Sequence, residues 1–267
     1  SLAGDHLTTG NSNVAVGYQA LTAEDGHGKN VAIGHNTLRD QDAGADAYNV
    51  AIGFEAGKVV STGNETILIG GNTGLALTTG IRNVAIGHAA LQTEDTTGYN
   101  VAIGNRALQS QNAGSDAYNV AVGSNAGQSV TTGTSNTLIG GLAGDALTDG
   151  NANTAVGRGA LSGETRGDRN VAIGYETLLA QNNTSDVDAY NVAVGYVAGT
   201  AMTTGIRNTI LGGLAGDAMT TGGNNVAIGY NALGTEDAGS YNVAIGDNAL
   251  RDQDAGDAYN VAVGYAA

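Results

Sequence analysis

One nine-residue motif recurs along the whole chain and constrains what the chain can fold into. The copy at residues 225–233 reads Asn-Val-Ala-Ile-Gly-Tyr-Asn-Ala-Leu. Most neighbouring copies start 17 residues apart, and the exceptions are 18 to 21 residues apart. A fixed period of this length is typical of stacked repeat proteins, in which each repeat forms one coil. The copies begin at residues 13, 30, 49, 66, 83, 100, 119, 136, 153, 170, 191, 208, 225, 242 and 260.

The alternation of side chains within each motif predicts a short β-strand. Val226 and Ile228 are β-branched and share one face of an extended segment, whereas Ala227 lies on the other. Gly229 predicts a bend, and Leu233 supplies a further apolar side chain for the interior. The sequence therefore predicts an all-β fold, a parallel β-solenoid with coils of 17 residues, although the period alone does not exclude antiparallel hairpins.

The two faces of the strand receive different roles in this interpretation. We expect the β-branched pair to point into the coil, which leaves a column of small Ala side chains on the outer face. A flat face of small residues would let identical solenoids pack side by side, and simple exposure to water is the alternative. The predicted self-association face consists of Ala15, Ala32, Ala51, Ala85, Ala102, Ala121, Ala227 and Ala244.

A longer period of about 70 residues lies above the coil, because coils of four types follow one another in fixed order. It divides the chain into super-repeats at residues 13–82, 83–152, 153–224 and 225–267, the last incomplete, after a partial coil at 1–12. We expect residues 1–267 to form a single solenoid domain. Both ends match the middle of a coil, so we also expect this domain to be a fragment of a longer fibre.

The charge balance narrows the classes of partner. The chain carries 25 Asp and Glu against 10 Lys and Arg, which gives a formal charge of −15. Such an acidic chain is not expected to bind nucleic acid or an anionic membrane surface. No apolar run approaches the roughly 18 residues of a membrane-spanning helix, so we expect no direct membrane insertion. The absence of Cys removes disulfides and thiol chemistry.

The second coil of each super-repeat carries a longer loop, and insertions in a solenoid are typical of its binding face. Its Asp residues alternate as in calcium loops, but amides replace most of them at residues 109–112 and 181–184, which favours a polar turn over calcium. Its Tyr side chains suit packing under a loop or stacking on a sugar. The candidate binding residues are Asp40, Asp42, Asp46, Tyr48, Asp116, Tyr118, Asp188, Tyr190, Asp254, Asp257 and Tyr259.

Nothing in the sequence predicts catalysis. No Ser, His and Asp set is placed to act together, and no cleft is apparent that would shift the pKa of a catalytic group. The Gly-rich copies are not followed by a helix, as phosphate-binding loops are. We therefore predict a non-enzymatic protein without a catalytic residue, a resident metal or a cofactor, with calcium as the one alternative.

The motif resembles the head repeats of trimeric autotransporter adhesins, the YadA-like head, and the related repeats of bacteriophage tail fibres. The form at 225–233 is closer to the tail-fibre variety, and the resemblance covers essentially the whole chain. It implies a left-handed β-roll that assembles as a homotrimer in an extracellular fibre, on a bacterial cell surface or a virion tail. A host cell-surface glycan or protein would be the partner. The chain departs from the adhesin pattern in its longer coil and in the missing Ser between Asn and Val.

These observations leave two candidate functions and a third that is less favoured. The first is a fibre segment that forms a rigid trimeric rod and mediates or presents attachment to a cell surface. The second is a purely structural shaft or spacer with no ligand of its own, which the near-identity of the repeats favours. The third is an ice-binding solenoid, which would need flat rows of Thr on one face. The Thr pairs at residues 8–9, 78–79 and 220–221 are adjacent in sequence and so point to opposite faces.

Overall fold

The computed structural model describes residues 2–235, 237–253 and 259–267, and these residues form β-strands and turns without a helix. Each motif copy forms a strand of three residues that begins directly after the first motif residue. The chain divides into two compact units, residues 1–134 and 135–267. Each unit consists of parallel coils about 17 residues apart, so the predicted all-β parallel solenoid is confirmed.

The strands of the first unit pair in parallel and in sequence order, each with the strand of the next coil. The register is the same at every step, so that Ala15 lies opposite Ala32 and Ala32 opposite Ala51. Equivalent side chains therefore form columns. The strands are β1 (Val14–Val16), β2 (Val31–Ile33), β3 (Val50–Ile52), β4 (Ile67–Ile69), β5 (Val84–Ile86), β6 (Val101–Ile103) and β7 (Val120–Val122).

The second unit repeats this arrangement and adds one short extra pair. The strands are β8 (Thr137–Ile139), β9 (Thr154–Val156), β10 (Gly167–Asp168), β11 (Val171–Ile173), β12 (Val187–Asp188), β13 (Val192–Val194), β14 (Thr209–Leu211), β15 (Val226–Ile228), β16 (Val243–Ile245) and β17 (Val261–Val263). The motif strands again pair in parallel with the next coil. Strands β10 and β12 lie in the loops of two successive coils and pair only with each other.

The orientation of the two strand faces is the reverse of the prediction. The middle residue points into the coil, whereas the β-branched residues on either side point outward and are half-buried or exposed. The Ala face cannot associate with another copy, because it lies in the core of its own coil. The prediction was therefore wrong for Ala32, Ala51, Ala85, Ala102, Ala121, Ala227 and Ala244, which are fully buried, and for Ala15, which is half-buried in the first coil.

Small and large side chains alternate across the coil interior, which explains this orientation. In the first and second coils of a super-repeat, where the strand centre is Ala, a fully buried Leu such as Leu38 or Leu91 fills the coil, whereas Gly57 stands at this position in the third coil. Where the strand centre is Leu68, the opposite wall has Gly74, and a Cβ there would lie 2.9 Å from Leu68 Cδ2. Each coil between the first and the last thus buries one central strand residue, and the two β-branched side chains beside it lie outside.

A ladder of buried Asn side chains joins successive coils. Asn208 Oδ1 accepts the backbone N–H of Asn225 in the next coil at 2.9 Å, and Asn208 Nδ2 donates to the carbonyl oxygen of Gly222 at 2.8 Å. Each such Asn closes the end of its own coil and holds the start of the next. The same pair of bonds occurs at Asn49, Asn83, Asn136, Asn153, Asn191 and Asn225.

The Gly that follows each strand is required by close contact between coils. Gly70 has a φ of +136°, and a Cβ there would lie 2.5 Å from the carbonyl oxygen of Gly87 in the next coil. At the adjacent Gly71, an added Cβ would meet nothing closer than His88 Cδ2 at 3.6 Å. His88 itself occupies the place of Gly71 in the next coil. Only the first of the two Gly residues is therefore demanded by the backbone.

We expect Ala substitutions at these neighbouring positions to differ sharply in cost. Gly70→Ala should lower the free energy of unfolding by about 2 kcal/mol or more, because Ala does not tolerate this φ and collides with the next coil. Gly71→Ala should stay within about 0.5 kcal/mol of the wild type. Urea denaturation followed by circular dichroism measures both values. Equal stability of the two variants would contradict the proposed role of the motif Gly.

Candidate functional site

The outer side of the strands carries two parallel columns of aliphatic side chains, which we call the aliphatic face. They are the first and third residues of each motif strand, such as Val31 and Ile33 in β2. In the fifteen motif strands these positions hold Val, Ile or Leu, except at Thr137, Thr154 and Thr209, and none holds a charged residue. In each unit part of this apolar surface is open to solvent, with 36–38% of Ile33, Ile67, Ile173 and Ile245 exposed.

Short runs of aromatic rings follow some of the strands. They occupy the position after the motif Gly, two residues beyond the strand end, where other coils have Gly, Asn, Ser, Arg or Asp. Tyr18, His35 and Phe54 stack in succession, with ring centroids 5.2 Å and 5.4 Å apart, and Tyr175 stacks on Tyr196 at 5.5 Å. These distances match the spacing of neighbouring parallel strands, so the coil repeat itself brings the rings together. The exposed apolar surface thus extends beyond the strands.

The four predicted Tyr residues are exposed, but each is engaged by the preceding coil. Lys29 Nζ donates a hydrogen bond to Tyr48 Oη at 2.8 Å and lies 4.8 Å from the centre of its ring. Neighbours from the preceding coil lie against the other three rings in the same way. Tyr118 is covered by Tyr99, Tyr190 by the Arg169 guanidinium and Tyr259 by Tyr241. One side of each ring is therefore covered by the preceding coil, and the rest of the ring is exposed.

The predicted Asp residues of the first long loop do not come together. Asp40 forms two hydrogen bonds with its neighbour Arg39, at 2.6 Å and 2.7 Å. Asp46 forms an ion pair with Lys29 at 2.7 Å, which holds the pKa of Asp46 below its ordinary value, and accepts the backbone N–H of Gly28 at 3.2 Å. Asp46 therefore links its loop to the preceding coil, whereas Asp40 pairs with its neighbour in the loop.

The equivalent Asp residues of later loops have similar partners where they are described. Asp116 accepts the backbone N–H of Gly98 at 3.2 Å, as Asp46 does from Gly28. Asp188 forms an ion pair with Arg169. Asp254 and Asp257 lie outside the described residues. In the first three super-repeats, this Asp therefore fastens the long loop to the coil before it.

Asp42 belongs to a different group, which sequence spacing did not reveal. One ligand atom from each of Glu24, Asp25, His27 and Asp42 lies within 4.8 Å of the others. Within residues 2–235, 237–253 and 259–267, this is the one such group of carboxylate and imidazole side chains. Asp42 comes from the long loop, whereas the other three come from the coil before it. A spacing rule within one loop could not find a group formed between two coils.

Glu24 stands at a position that holds Glu once in each super-repeat. Glu24, Glu94 and Glu164 are fully buried, and Glu236 at the same place lies outside the described residues. The third and fourth coils of a super-repeat place a core residue there, such as Leu77. A Glu at a position that is apolar in other coils was the sequence signal for a buried carboxylate, which is costly without partners.

The hydrogen bonds of these buried Glu residues differ between super-repeats. Four backbone N–H groups, including that of Asn183, donate to Glu164 Oε1 at 2.8–3.1 Å, and Asn183 Nδ2 donates to Oε2 at 3.0 Å. Glu94 Oε1 accepts the backbone N–H groups of Asp95 and Thr97, but Glu94 Oε2 is buried without a partner. Burial raises the pKa of Glu94 above its ordinary value.

The same substitution at Glu94 and Glu164 is expected to have opposite effects. A folded-state pKa above the unfolded one means that stability is lost as the pH rises through the ordinary Glu range, about 4.3 and above. Glu94→Gln stays neutral, so it should match the wild type near pH 3 and exceed its stability near pH 7. Glu164→Gln should lose about 1–3 kcal/mol near pH 7, because its new amide would face that of Asn183. Urea denaturation at both pH values tests this, and the reverse order at neutral pH would refute it.

Comparisons of the chain with protein-family models, with curated proteins and with solved structures give no match. Among the residues that the structure describes, no helix has the length and apolar character needed to cross a membrane. The function therefore has to be argued from the aliphatic face, the rows of rings and charges between coils, and the group around Glu24.

Proposed function

We propose that this chain is a non-enzymatic segment of an extracellular fibre, of the adhesin or tail-fibre kind, and that its copies assemble as a homotrimer through the aliphatic face. One observation carries the proposal. A chain with 25 acidic and 10 basic residues keeps every charge off the two outward columns of its strands. Continuous apolar surface that is open to solvent is typical of a contact between proteins.

The regularity of the aliphatic face supports contact with another copy of the same chain. Equivalent residues stand in register from strand to strand, as Val31 with Val50 and Ile33 with Ile52. A second copy would have the same coil spacing, about 4.8 Å, so its aliphatic rows would match level by level. Few unrelated partners would present that spacing. The number of three copies comes from the resemblance to trimeric fibre repeats, because the face itself fits any symmetric assembly.

Within such a fibre, the contacts of the loops favour a shaft that presents attachment sites located elsewhere. Asp46 is paired with Lys29, and Tyr118 lies against Tyr99. Side chains that are already used between coils offer less to a glycan or protein receptor. The ice-binding alternative is disfavoured because Thr78 Oγ1 donates to the carbonyl oxygen of Asp95 at 2.8 Å and so is directed at the chain itself.

We expect the wild-type chain to have a solution mass of three times 26.4 kDa. Ile173→Lys combined with Ile245→Lys places two charges on the aliphatic face, and burying them unpaired would cost several kcal/mol each. This variant should therefore run as a single chain. Analytical ultracentrifugation measures both masses, and circular dichroism checks that the variant keeps its strands.

The matched control carries the same two new charges away from the aliphatic face. Ser115 and Ser185 are exposed loop residues, one in each unit. Ser115→Lys combined with Ser185→Lys should leave the mass at three chains. A monomeric wild type, or an Ile173→Lys, Ile245→Lys variant that keeps the wild-type mass, would exclude self-association through this face.

A further inference from the structure

The loops after β1 and β2 bring four ligand-type side chains together, and the fibre proposal makes no use of them. Glu24, Asp25 and His27 follow β1, and Asp42 follows β2 in the next coil. One ligand atom from each lies within 4.8 Å of the other three. Glu24 is fully buried at the base of the group, His27 is half-buried, and the two Asp residues are exposed at its rim. The group is therefore open to solvent on one side.

Two buried atoms of this group lack a hydrogen-bond partner. Glu24 Oε1 accepts the backbone N–H of His27 at 3.0 Å, but Glu24 Oε2 has no partner, and neither has His27 Nδ1. His27 Nδ1 lies 3.6 Å from Glu24 Oε1, which is too far for a hydrogen bond. Buried polar atoms of native proteins are nearly always paired. A cation between the carboxylate and the imidazole would satisfy both atoms at once.

Equivalent positions in the other super-repeats show that this combination is specific to the first. The second super-repeat has Glu94 and Asp95, but Thr97 and Asn112 stand where the first has His27 and Asp42. In the third super-repeat, Asn183 Nδ2 donates a hydrogen bond to Oε2 of the buried Glu164 at 3.0 Å. The fourth has Gly239 in place of His27. The buried carboxylate is thus a common feature of the coil, whereas its set of possible ligands is not.

We propose that Glu24, Asp25, His27 and Asp42 bind one divalent metal ion of the zinc type. Three carboxylate oxygens and one imidazole nitrogen are ligands that Zn²⁺ accepts, whereas Ca²⁺ prefers oxygen throughout. Zinc–ligand distances of about 2.0–2.2 Å place ligand atoms no more than about 4.4 Å apart. Glu24 Oε1 and His27 Nδ1, 3.6 Å apart, already lie within that limit, and the other two ligands are exposed Asp side chains.

The electrostatics of the group favour a bound cation. Burial is the main cause that raises the pKa of Glu24, and the nearby charges of Asp42 and Asp25 raise it further. Three carboxylates are gathered around one imidazole, so the group carries excess negative charge when His27 is neutral. A dication offsets the repulsion between the carboxylates and the desolvation of the buried one.

Titration with Zn²⁺ of the untagged chain, after removal of metals with a chelator, tests the site. Isothermal calorimetry should show one Zn²⁺ bound per chain, and Ca²⁺ should bind far more weakly. His27→Thr combined with Asp42→Asn installs the residues of the second super-repeat, so the coil is expected to fold. That variant should bind Zn²⁺ more than about 100-fold more weakly, because it lacks two direct ligands. Zn²⁺ should raise the Tm of the wild type and leave that of the variant unchanged.

The converse change makes the test independent of any loss of folding. Thr97→His combined with Asn112→Asp gives the second super-repeat the ligand set of the first, and this variant should bind two Zn²⁺ per chain. The proposal is overturned if the wild type binds no Zn²⁺ stoichiometrically. It is also overturned if His27→Thr, Asp42→Asn leaves affinity and stoichiometry unchanged, or if Ca²⁺ binds more tightly than Zn²⁺. Each result is independent of whether the chain forms a trimer.

Discussion

The fold depends on hydrogen bonds that one Asn side chain in nearly every coil makes to backbone groups. A coil this thin has little apolar interior, and buried backbone groups must be paired wherever the chain turns. Asn208 supplies both an acceptor for Asn225 in the next coil and a donor to Gly222 at the end of its own. Thr66 stands at the Asn position of the fourth coil, and its hydroxyl donates to Asn49 Oδ1 at 2.9 Å. Because these bonds fix the register, every other column of side chains follows from them.

The structure separates the side chains that fill the interior of a coil from those that point outward. The interior uses Ala, Leu and Gly in complementary places, as Leu68 with Gly74 shows. The larger β-branched side chains, such as Ile33, lie outside and remain partly exposed. A substitution in the interior should therefore affect folding, and one on the outside should affect the assembly that we propose. Because the outward side chains do not fill the coil interior, their apolar character needs an explanation other than the packing of the coil.

The sequence predicted the coil period, the strand positions and the class of fold, because these follow from alternation and spacing along the chain. It did not predict which face is inside, since both faces are apolar and alternation defines two faces without ranking them. The variation between coils carried the information about which face is inside. A polar residue, Thr137, occurs at an outward position, and a large apolar one, Leu68, replaces the central Ala. The group around Glu24 was missed because its members come from two coils, so that Glu24 and Asp42 meet across the stack and not within one loop.

The four types of coil restrict how such a chain can change in length during evolution. Gln111 Oε1 accepts a hydrogen bond from Asn119 Nδ2 in the following coil, and Glu164 depends in the same way on Asn183. Loss of the coil that carries Asn183 would leave Glu164 Oε2 buried without this donor, at about 1–3 kcal/mol. Gain or loss of four coils keeps the order of the coil types. Recombination should therefore lengthen or shorten this chain in steps of one super-repeat.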